Sequence, residues 1–446
     1  MSGGRRRGSG TFAALAVPNY RRYIAGQAVS LAGTWMQAIA QSWLVLELSH
    51  SGTVLGFLVA VQLLPVLVFG AYGGLIADRF DKRRILIAAQ VVQGALALIL
   101  GVLTTTGAVR LWMVFVLAFA LGLVRSVASP AQQSFPSEVV GPELLGNAVS
   151  LNQIVVNTAR AVGPAVAGTL IATVGVGVCF LVNAASFVAV IFALARLDRA
   201  TLHPAERVMR ASGQIREGLR YVRSAPELLM PLVMMAVVGT LAYEFQVVLP
   251  LMARGPLDGG PTAYGLMTSA MGVGAVCGGL VLAPRVRIGL GPLSRLSFAF
   301  GVAILAAAAA PTIAVEIVAL LAVGAASTCF LTTASSTLQL TAEPQFRGRV
   351  MALWSMAFLG STPIGGPIIG AISEAASPRA GLVTGAVACI ACSLLGAVAL
   401  RRMSPDRRSA TGERVVGGHP SAPEHPALAT DCEPGRVPPV GVRARP

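Results

Sequence analysis

The chain has 446 residues, of which 55% are hydrophobic and 12% are charged, and its formal net charge is +15 at pH 7. Soluble domains carry about 25% charged residues, so this composition excludes an ordinary soluble protein. The basic excess does not predict nucleic-acid binding, because the cations lie between apolar segments and not on one globular surface. The composition therefore predicts a membrane protein.

Residues 1–21 are polar and basic, and we expect them to lie in the cytoplasm. Twelve apolar segments follow, most of them close to the roughly 20 residues that a helix needs to span a bilayer. Their bounds in chain order are about 22–47, 53–76, 85–105, 111–132, 147–173, 175–195, 229–253, 263–284, 292–311, 313–339, 346–374 and 379–400. This pattern predicts an all-α membrane protein with twelve transmembrane helices.

The connection at residues 196–228 is long and divides the twelve spans six and six. It predicts an N-terminal six-helix bundle at 22–195 and a C-terminal six-helix bundle at 229–400. The pair Gly163-Pro164 of the fifth span recurs as Gly366-Pro367 in the eleventh span. This recurrence at corresponding places indicates that the two bundles are repeats of one six-helix unit.

Two segments outside the spans have distinct compositions. Within the long connection, Ile215, Leu219 and Val222 share one helical face and arginines occupy the other. This pattern predicts an amphipathic helix on the cytoplasmic surface, which serves either as a regulatory element or, more simply, as a tether. Residues 401–446 are rich in Pro, Gly, Ser and Arg without apolar periodicity, so we expect a disordered cytoplasmic tail.

Basic residues lie in alternate loops, and this asymmetry predicts the orientation of the chain. The basic loops contain Arg79–Arg84, the arginines of the long connection, Arg285 with Arg287, and Arg347 with Arg349. The basic residues of the intervening loops are His50, Arg110, Arg254 and Arg379. Loops rich in Lys and Arg stay in the cytoplasm, so we expect a multi-pass protein of a bacterial inner membrane with both termini inside.

The turn between the second and third spans reads Gly74-Leu75-Ile76-Ala77-Asp78-Arg79-Phe80-Asp81-Lys82-Arg83. It resembles the loop signature of the major facilitator superfamily, Gly-x-Leu-Ala-Asp-Arg-x-Gly-Arg-Arg/Lys. Asp81 replaces the second glycine, and because Asp tolerates a left-handed conformation we expect the turn to persist. The resemblance implies that the turn stabilises the state closed to the cytoplasm. The residues of this conformational latch are Gly74, Asp78, Arg79 and Arg83.

The fifth span contains Gly163-Pro164-Ala165-Val166-Ala167-Gly168. It resembles the Gly-Pro-x-x-Gly-Gly signature of the drug–proton antiporter branch, with Ala167 in place of one glycine. The resemblance implies an exporter in which the fifth helix packs on the eighth, where Gly274-Ala275-Val276-Cys277-Gly278 offers a close-packing face. The alternative is an ordinary membrane kink, since Gly and Pro are common in such helices.

Five further stretches resemble a branch of the superfamily that contains macrolide-type and siderophore exporters. They are Asn19-Tyr20-Arg21-Arg22, Gly33-Thr34-Trp35-Met36-Gln37, Pro130-Ala131-Gln132-Gln133, Asn147-Ala148-Val149-Ser150-Leu151-Asn152 and Arg347-Gly348-Arg349-Val350-Met351. The resemblance implies a monomeric secondary transporter in the lipid bilayer that exports a small amphipathic molecule, such as a drug or siderophore, in exchange for protons. Two six-helix bundles would surround a cavity that opens alternately to each side.

Two other functions remain open from the sequence: proton-coupled uptake by the same fold, and a membrane sensor without transport. An enzyme is not expected, because no nucleotide loop, metal cluster or nucleophilic triad is visible. Cys389 and Cys392 have a spacing seen in metal sites, but no His or second Cys pair accompanies them. We therefore expect no cofactor and no metal, and as partners the substrate, protons and lipid, without nucleic acid.

Among the acidic residues, Glu244 is placed well inside a span, about 15 residues into the seventh. Glu47, Glu316 and Glu374 lie near predicted helix ends, where we expect them to reach water. A charge at the bilayer centre costs about 2.5–3.5 kcal/mol on insertion scales, so Glu244 should line a cavity, be paired or be protonated. We interpret it as the carrier of the coupled proton, with a structural polar contact as the alternative.

Several other polar residues lie at membrane depth. Arg160 is near mid-depth and either faces a cavity or serves packing, whereas Arg125 is nearer the cytoplasm and is expected to snorkel. Uncharged amides on the first and fifth spans either hydrogen-bond a ligand or hold helices together. The candidate cavity residues are therefore Gln37, Gln41, Asn152, Asn157 and Arg160.

Overall fold

A computed structural model of the chain describes residues 12–203 and 214–412, and the secondary-structure elements in these ranges are all helical. The predicted basic N-terminus and C-terminal tail lie largely outside the described residues. The N-terminal half consists of α1 (Pro18–Ser49), α2 (Gly52–Arg79), α3 (Lys82–Thr105), α4 (Leu111–Val140), α5 (Leu145–Val174) and α6 (Val176–Ala195). A linker helix, α7 (Gln214–Ser224), precedes the C-terminal half.

The C-terminal half begins with a seventh span that is broken into two helices, α8 (Pro226–Ala242) and α9 (Phe245–Arg254). The remaining helices are α10 (Gly260–Cys277), α11 (Leu290–Ala308), α12 (Ile313–Thr341), α13 (Arg347–Ala375) and α14 (Pro378–Gly412). The last helix therefore continues to Gly412, beyond the predicted end of the twelfth span at about residue 400.

Within the described residues, eleven helical stretches are long and apolar enough to cross a membrane. The twelfth predicted span is α1, which has 32 residues but buries an unusual number of polar side chains, including Gln27, Gln37 and Gln41. These polar groups lower the hydropathy of α1. The helix tolerates them because they are buried against other helices. With α1 included, the all-α fold with twelve transmembrane helices is confirmed.

The turn between α2 and α3 forms by helix capping and not by a left-handed residue. Asp81 has φ −59°, and its carboxylate accepts a hydrogen bond from the backbone N–H of Arg84 at 3.3 Å, so it caps α3. The expectation that Asp81 replaces glycine in a left-handed conformation is therefore wrong. An aspartate is favoured at this position because it satisfies an N–H group that the first helical turn leaves free.

Two seams of small residues join the halves. In the first, α2 packs on α13, where a Cβ on Gly56 would lie 2.8 Å from the backbone nitrogen of Pro367. In the second, α5 packs on α10, where a Cβ on Gly168 would lie 2.6 Å from the carbonyl oxygen of Pro261. Glycine is required at such points because backbones approach without room for a side chain.

Both seams hold together the end of the molecule that carries Glu374, which we call the Glu374 end. There the Glu374 carboxylate accepts hydrogen bonds from Ser51 Oγ at 2.6 Å and from the Thr53 N–H at 2.9 Å. We call the opposite end, which carries the turn between α2 and α3, the basic end. Gly70 on α2, near that end, has open space where a side chain would extend. The two seams thus hold the halves together at the Glu374 end.

The linker helix α7 packs on the C-terminal half. The Tyr221 ring stacks on Phe346 at 4.2 Å between centroids, and Glu217 forms an ion pair with Arg349 at 2.9 Å. Val222 is buried, whereas Leu219 remains exposed. The predicted amphipathic helix therefore forms, and protein contacts cover part of its apolar face.

Candidate substrate and proton site

The broken seventh span places two polar residues at the contact between the halves. Tyr243 and Glu244 separate α8 from α9, and the backbone carbonyl of Glu244 accepts hydrogen bonds from the N–H groups of Val247 and Val248. The break lies at membrane depth, where discontinuous helices commonly form the binding sites of transporters. Glu244 lines one cavity here, and Gln246 lines that cavity and a second one.

Glu244 is 3% exposed and fits into a notch in α13. The Thr362 side chain hydrogen-bonds to its carboxyl group, while Oε1 has no partner. A Cβ on Gly365 would lie 2.8 Å from Oε1, and one on Gly366 would lie 3.5 Å from Oε2. The two glycines therefore create the space that the carboxyl group fills, and Glu244 is buried inside the protein.

A cavity of about 170 Å³ lies beside Glu244 and is lined by both halves. Arg160 shares this cavity but forms no ion pair with Glu244 in the described residues. Its guanidinium lies 5.7 Å from the centroid of the Trp35 ring, and its buried Nε atom has no partner. Aromatic side chains from the C-terminal half complete the wall: Tyr243, Phe245 and Tyr264. The sequence reading did not single out these aromatic residues.

A second cavity of about 120 Å³ lies mostly within the N-terminal half and contains two of the predicted residues, Gln37 and Gln41. The Gln37 oxygen accepts a hydrogen bond of 2.6 Å from the side chain of Asn183. Gln246 closes this cavity from the C-terminal half. The other predicted amides, Asn152 and Asn157, are not among the residues that line either cavity.

Arg125 does not follow the snorkelling expectation. Its side chain lines both the second cavity and a third cavity of about 240 Å³, which is lined by helices of the N-terminal half. In the described residues it has no hydrogen bond or ion pair. The position of Arg125 along its span did not reveal that it lines these cavities. Whether an arginine faces lipid or the bundle interior depends on the rotation of α4 about its axis.

The motif in α5 contacts two neighbouring helices. A Cβ on Gly163 would lie 2.8 Å from the Cβ of Trp35 on α1, and Gly168 packs against α10. Pro164 lies within the continuous helix α5, and its carbonyl oxygen faces Gly265 of α10. The motif therefore places α5 against both the wall of the 170 Å³ cavity and the other half.

The predicted contact between the fifth and eighth spans forms through different glycines. Gly265 and Gly272 of α10 face α5, and a Cβ on Gly272 would lie 2.9 Å from the Arg160 carbonyl oxygen. Gly274 and Gly278 instead pack against α12. The expectation chose the wrong face of α10. Gly265 and Gly272 are seven residues apart and share the face that meets α5. Gly274 follows Gly272 by two residues and therefore lies on the opposite face.

The predicted latch residues contact only the N-terminal half in this state. Arg83 donates hydrogen bonds to the carbonyl oxygens of Leu194 and Ala195 at 2.7 and 2.8 Å, at the end of α6. Asp78 is exposed and has no ion pair in the described residues. Asp78, Arg79 and Arg83 all line one cavity at the protein surface. Gly74 is buried, but Gly73 is the residue that touches the backbone of α4. A latch between the halves stays a prediction.

Glu316 is 0% exposed, and both of its carboxyl oxygens lack a hydrogen-bond partner. The expectation that it reaches water is therefore wrong. Arg379, at the start of α14, is the opposite charge that acts on it. Position near a helix end did not predict burial, because burial depends on the neighbouring helices: Arg379 of α14 donates a hydrogen bond to the Ala310 carbonyl oxygen, just before α12. Glu374 does lie at an exposed helix end, as expected.

The whole arrangement is that of a major facilitator-type transporter. The chain superposes on the crystal structure of a bacterial homologue of the iron transporter ferroportin in the inward-facing state, with a TM-score of 0.68 and 16% identity, covering 86% of this chain and 98% of that one. Residues 9–415 match the family model described as transmembrane secretion effector. The chain therefore belongs to this family of major facilitator transporters and is not an enzyme.

Relatives of known name are transporters of the same type. The staphyloferrin A transporter of Staphylococcus aureus is 26% identical over 75% of this chain and 84% of its own length. Macrolide efflux protein A of Streptococcus pyogenes is 28% identical over 58% and 64%. The multidrug efflux pump Tap of Mycolicibacterium fortuitum is 27% identical over 78% and 88%. The resemblance to macrolide-type and siderophore exporters is thereby confirmed.

Proposed function

We propose that this transporter exports a small amphipathic molecule in exchange for protons, by alternating access between its two halves. The basic end and both termini lie in the cytoplasm, and the protein works as a monomer in the inner membrane of a bacterium. The relatives named for staphyloferrin A, macrolide and multidrug transport support export of such a substrate. The Gly-Pro motif of α5 supports the same direction.

One observation supports the proton part of the proposal: Glu244 is a buried acid at a helix break, beside a cavity that both halves line. An anionic carboxylate at membrane depth costs about 2.5–3.5 kcal/mol, so a bound proton stabilises Glu244 in its notch. When the halves part at the basic end, the proton leaves to the cytoplasm. Separation of α13 from α2 exposes Glu244 to the other side for reloading.

The cavity beside Glu244 suits an amphipathic substrate. Trp35, Tyr243 and Tyr264 supply aromatic surface, and Arg160 supplies a cation with an unsatisfied donor. Substrate in this cavity lies beside Glu244, so the bound substrate and the proton on Glu244 influence each other through space. Export follows when the outward-open state releases the substrate and protonates Glu244.

The turn between α2 and α3 closes the basic end in the alternate state. Gly74, Asp78, Arg79 and Arg83 form the latch, with Asp78 exposed here and free to meet the C-terminal half when the basic ends approach. Arg83 holds the turn against α6 in this state, which keeps the latch in position for that approach.

The proton role is tested with the full chain in proteoliposomes under a pH gradient, with a macrolide, a siderophore and a cationic dye as probes. Glu244→Gln should lower gradient-driven accumulation at least about 100-fold, while probe exchange without a gradient persists, because the neutral amide resembles the protonated acid. Glu316→Gln is the matched control, since Glu316 is equally buried but lines neither cavity at the contact between the halves.

Three results bear against the proposal. Accumulation by Glu244→Gln at the wild-type rate would show that Glu244 is a structural contact only. An equal loss in Glu316→Gln would show that any buried acid is needed for folding and that Glu244 has no special role. Accumulation of the probes on the cytoplasmic side of the protein, opposite to the side expected for an exporter, would establish proton-coupled uptake instead.

A further inference from the structure

Two cavities meet at Arg125 inside the N-terminal half. Their volumes are about 120 and 240 Å³, and the residues that line both are Thr34, Gln93, Arg125 and Phe187. Helices α1, α3, α4 and α6 contribute these residues, and the smaller cavity adjoins the cavity beside Glu244. We call the two cavities together the Arg125 chamber.

The Arg125 chamber contains a cation without an anion. Neither cavity is lined by an Asp or a Glu, and in the described residues Arg125 forms no ion pair or hydrogen bond. A guanidinium has five N–H donors and keeps its charge in proteins. Arg125 is partly buried, and a partly buried charge without a counter-ion is stabilised by an anion beside it, so the chamber is suited to an anion.

Buried amides surround this cation. Gln27, Gln90 and Gln93 line the larger cavity, and Gln37 and Gln41 line the smaller one. Gln90 is 6% exposed, and its side-chain oxygen has no hydrogen-bond partner. Side-chain amides donate and accept, so they match a ligand that carries hydroxyl or carbonyl groups next to its charge.

The size and connections of the chamber indicate which part of a substrate it holds. Sites for drug-sized ligands have volumes of about 300–1,000 Å³, so each cavity alone fits a head group and not a whole molecule. Val59, Leu63 and Gln246 line both the smaller cavity and the cavity beside Glu244. A molecule with its head group at Arg125 therefore has room for the remainder between the halves.

We propose that the Arg125 chamber binds a carboxylate-bearing, hydroxyl-rich head group of the transported molecule. This inference rests on the proposed transport of an amphipathic substrate and names its chemical class. Arg125 forms a charge-assisted pair with the carboxylate, and Gln90 and Gln93 hydrogen-bond the neighbouring oxygen atoms. A guanidinium binds a carboxylate through two parallel hydrogen bonds, so Lys at this position preserves the charge but only part of the geometry.

The test is calorimetric titration of the full chain in lipid nanodiscs with citrate, a small hydroxy-polycarboxylate, and with its neutral triethyl ester. Wild type should bind citrate and not the ester. Arg125→Gln should weaken citrate binding about 10–100-fold, since hydrogen bonds to charged groups contribute about 1.5–3 kcal/mol. Arg125→Lys should recover part of the affinity. Arg110→Gln, which removes the same charge from an exposed position before α4, should bind like wild type.

Gradient-driven transport by Glu244→Gln tests the proton role separately, so failure of one proposal is distinguishable from failure of the other. Elution as a monodisperse species and partial rescue by lysine show that Arg125→Gln is folded. Equal citrate affinity in wild type and Arg125→Gln, binding of the ester as tightly as citrate, or no citrate binding by wild type would each overturn the proposal.

Discussion

The two seams between the halves are built alike and differ in one residue that matters. In each, a helix with a Gly-Pro pair packs on a glycine of the other half: α5 on Gly265 and α13 on Gly56. The residue before the pair is Gly365 in α13 but Val162 in α5, where it is 49% exposed. Gly365 leaves the space in which the Glu244 carboxyl group lies.

The difference shows how a repeated framework acquires a specific site. The shared glycines allow backbone contact on both seams. The additional glycine of the α2–α13 side admits an acid, whereas the α5–α10 side presents Arg160 to the same cavity. One seam thus holds the group that we propose to carry the proton, and the other holds a fixed positive charge.

The largest effect is expected from Gly365→Val, which makes α13 resemble α5. A Cβ there would clash with the Thr240 carbonyl oxygen of α8 and would lie 2.8 Å from Glu244 Oε1, so α13 must shift against α8 and the carboxyl group must leave its notch. Overpacking of this kind costs about 1–3 kcal/mol, and we expect transport in proteoliposomes to fall about 100-fold. Gly360→Val is the control, because its Cβ would meet only Leu67 at an ordinary 3.6 Å. Equal losses in both variants would contradict this view of Gly365.

A smaller effect is expected from Arg160→Gln. It removes a cation that lines the same cavity as Glu244 and leaves both seams intact. We expect about a 10-fold loss of transport with a shifted pH profile, because a nearby positive charge favours the carboxylate form of Glu244. Initial rates between pH 5.5 and 8.5 measure this. An unchanged profile with a uniform rate loss would assign Arg160 to packing on Trp35.

The smallest effect is expected from Asp78→Asn, which acts at the end that neither seam closes. The variant keeps the shape of the side chain but removes its charge, and Asp78 is exposed here. We expect turnover to fall several-fold, at unchanged membrane abundance, because only the state closed at the basic end is weakened. Spin-label distances across the basic end should show fewer closed molecules. Full turnover would remove the latch from the mechanism.

The sequence predicted the all-α fold and the deep position of Glu244, since both depend on local hydropathy and on spacing along one span. It did not predict the break at Tyr243, the burial of Glu316 or the chamber around Arg125. Those features depend on the rotation of helices about their axes and on where neighbouring helices end. A rotation error also explains why Gly274 was expected at a contact that Gly265 makes.

The guanidinium of Arg160 over Trp35 gives the molecule an intrinsic optical probe of its cavity. Indole emission responds to a cation held near the ring and to the removal of water from its surroundings. A ligand that draws Arg160 away from Trp35 will therefore change the fluorescence without any attached dye. The sequence contains four tryptophans, and one of them, Trp112, is 64% exposed, so an aqueous quencher can suppress its background. Tryptophan fluorescence after rapid mixing thus reports occupancy of the cavity in the unmodified protein.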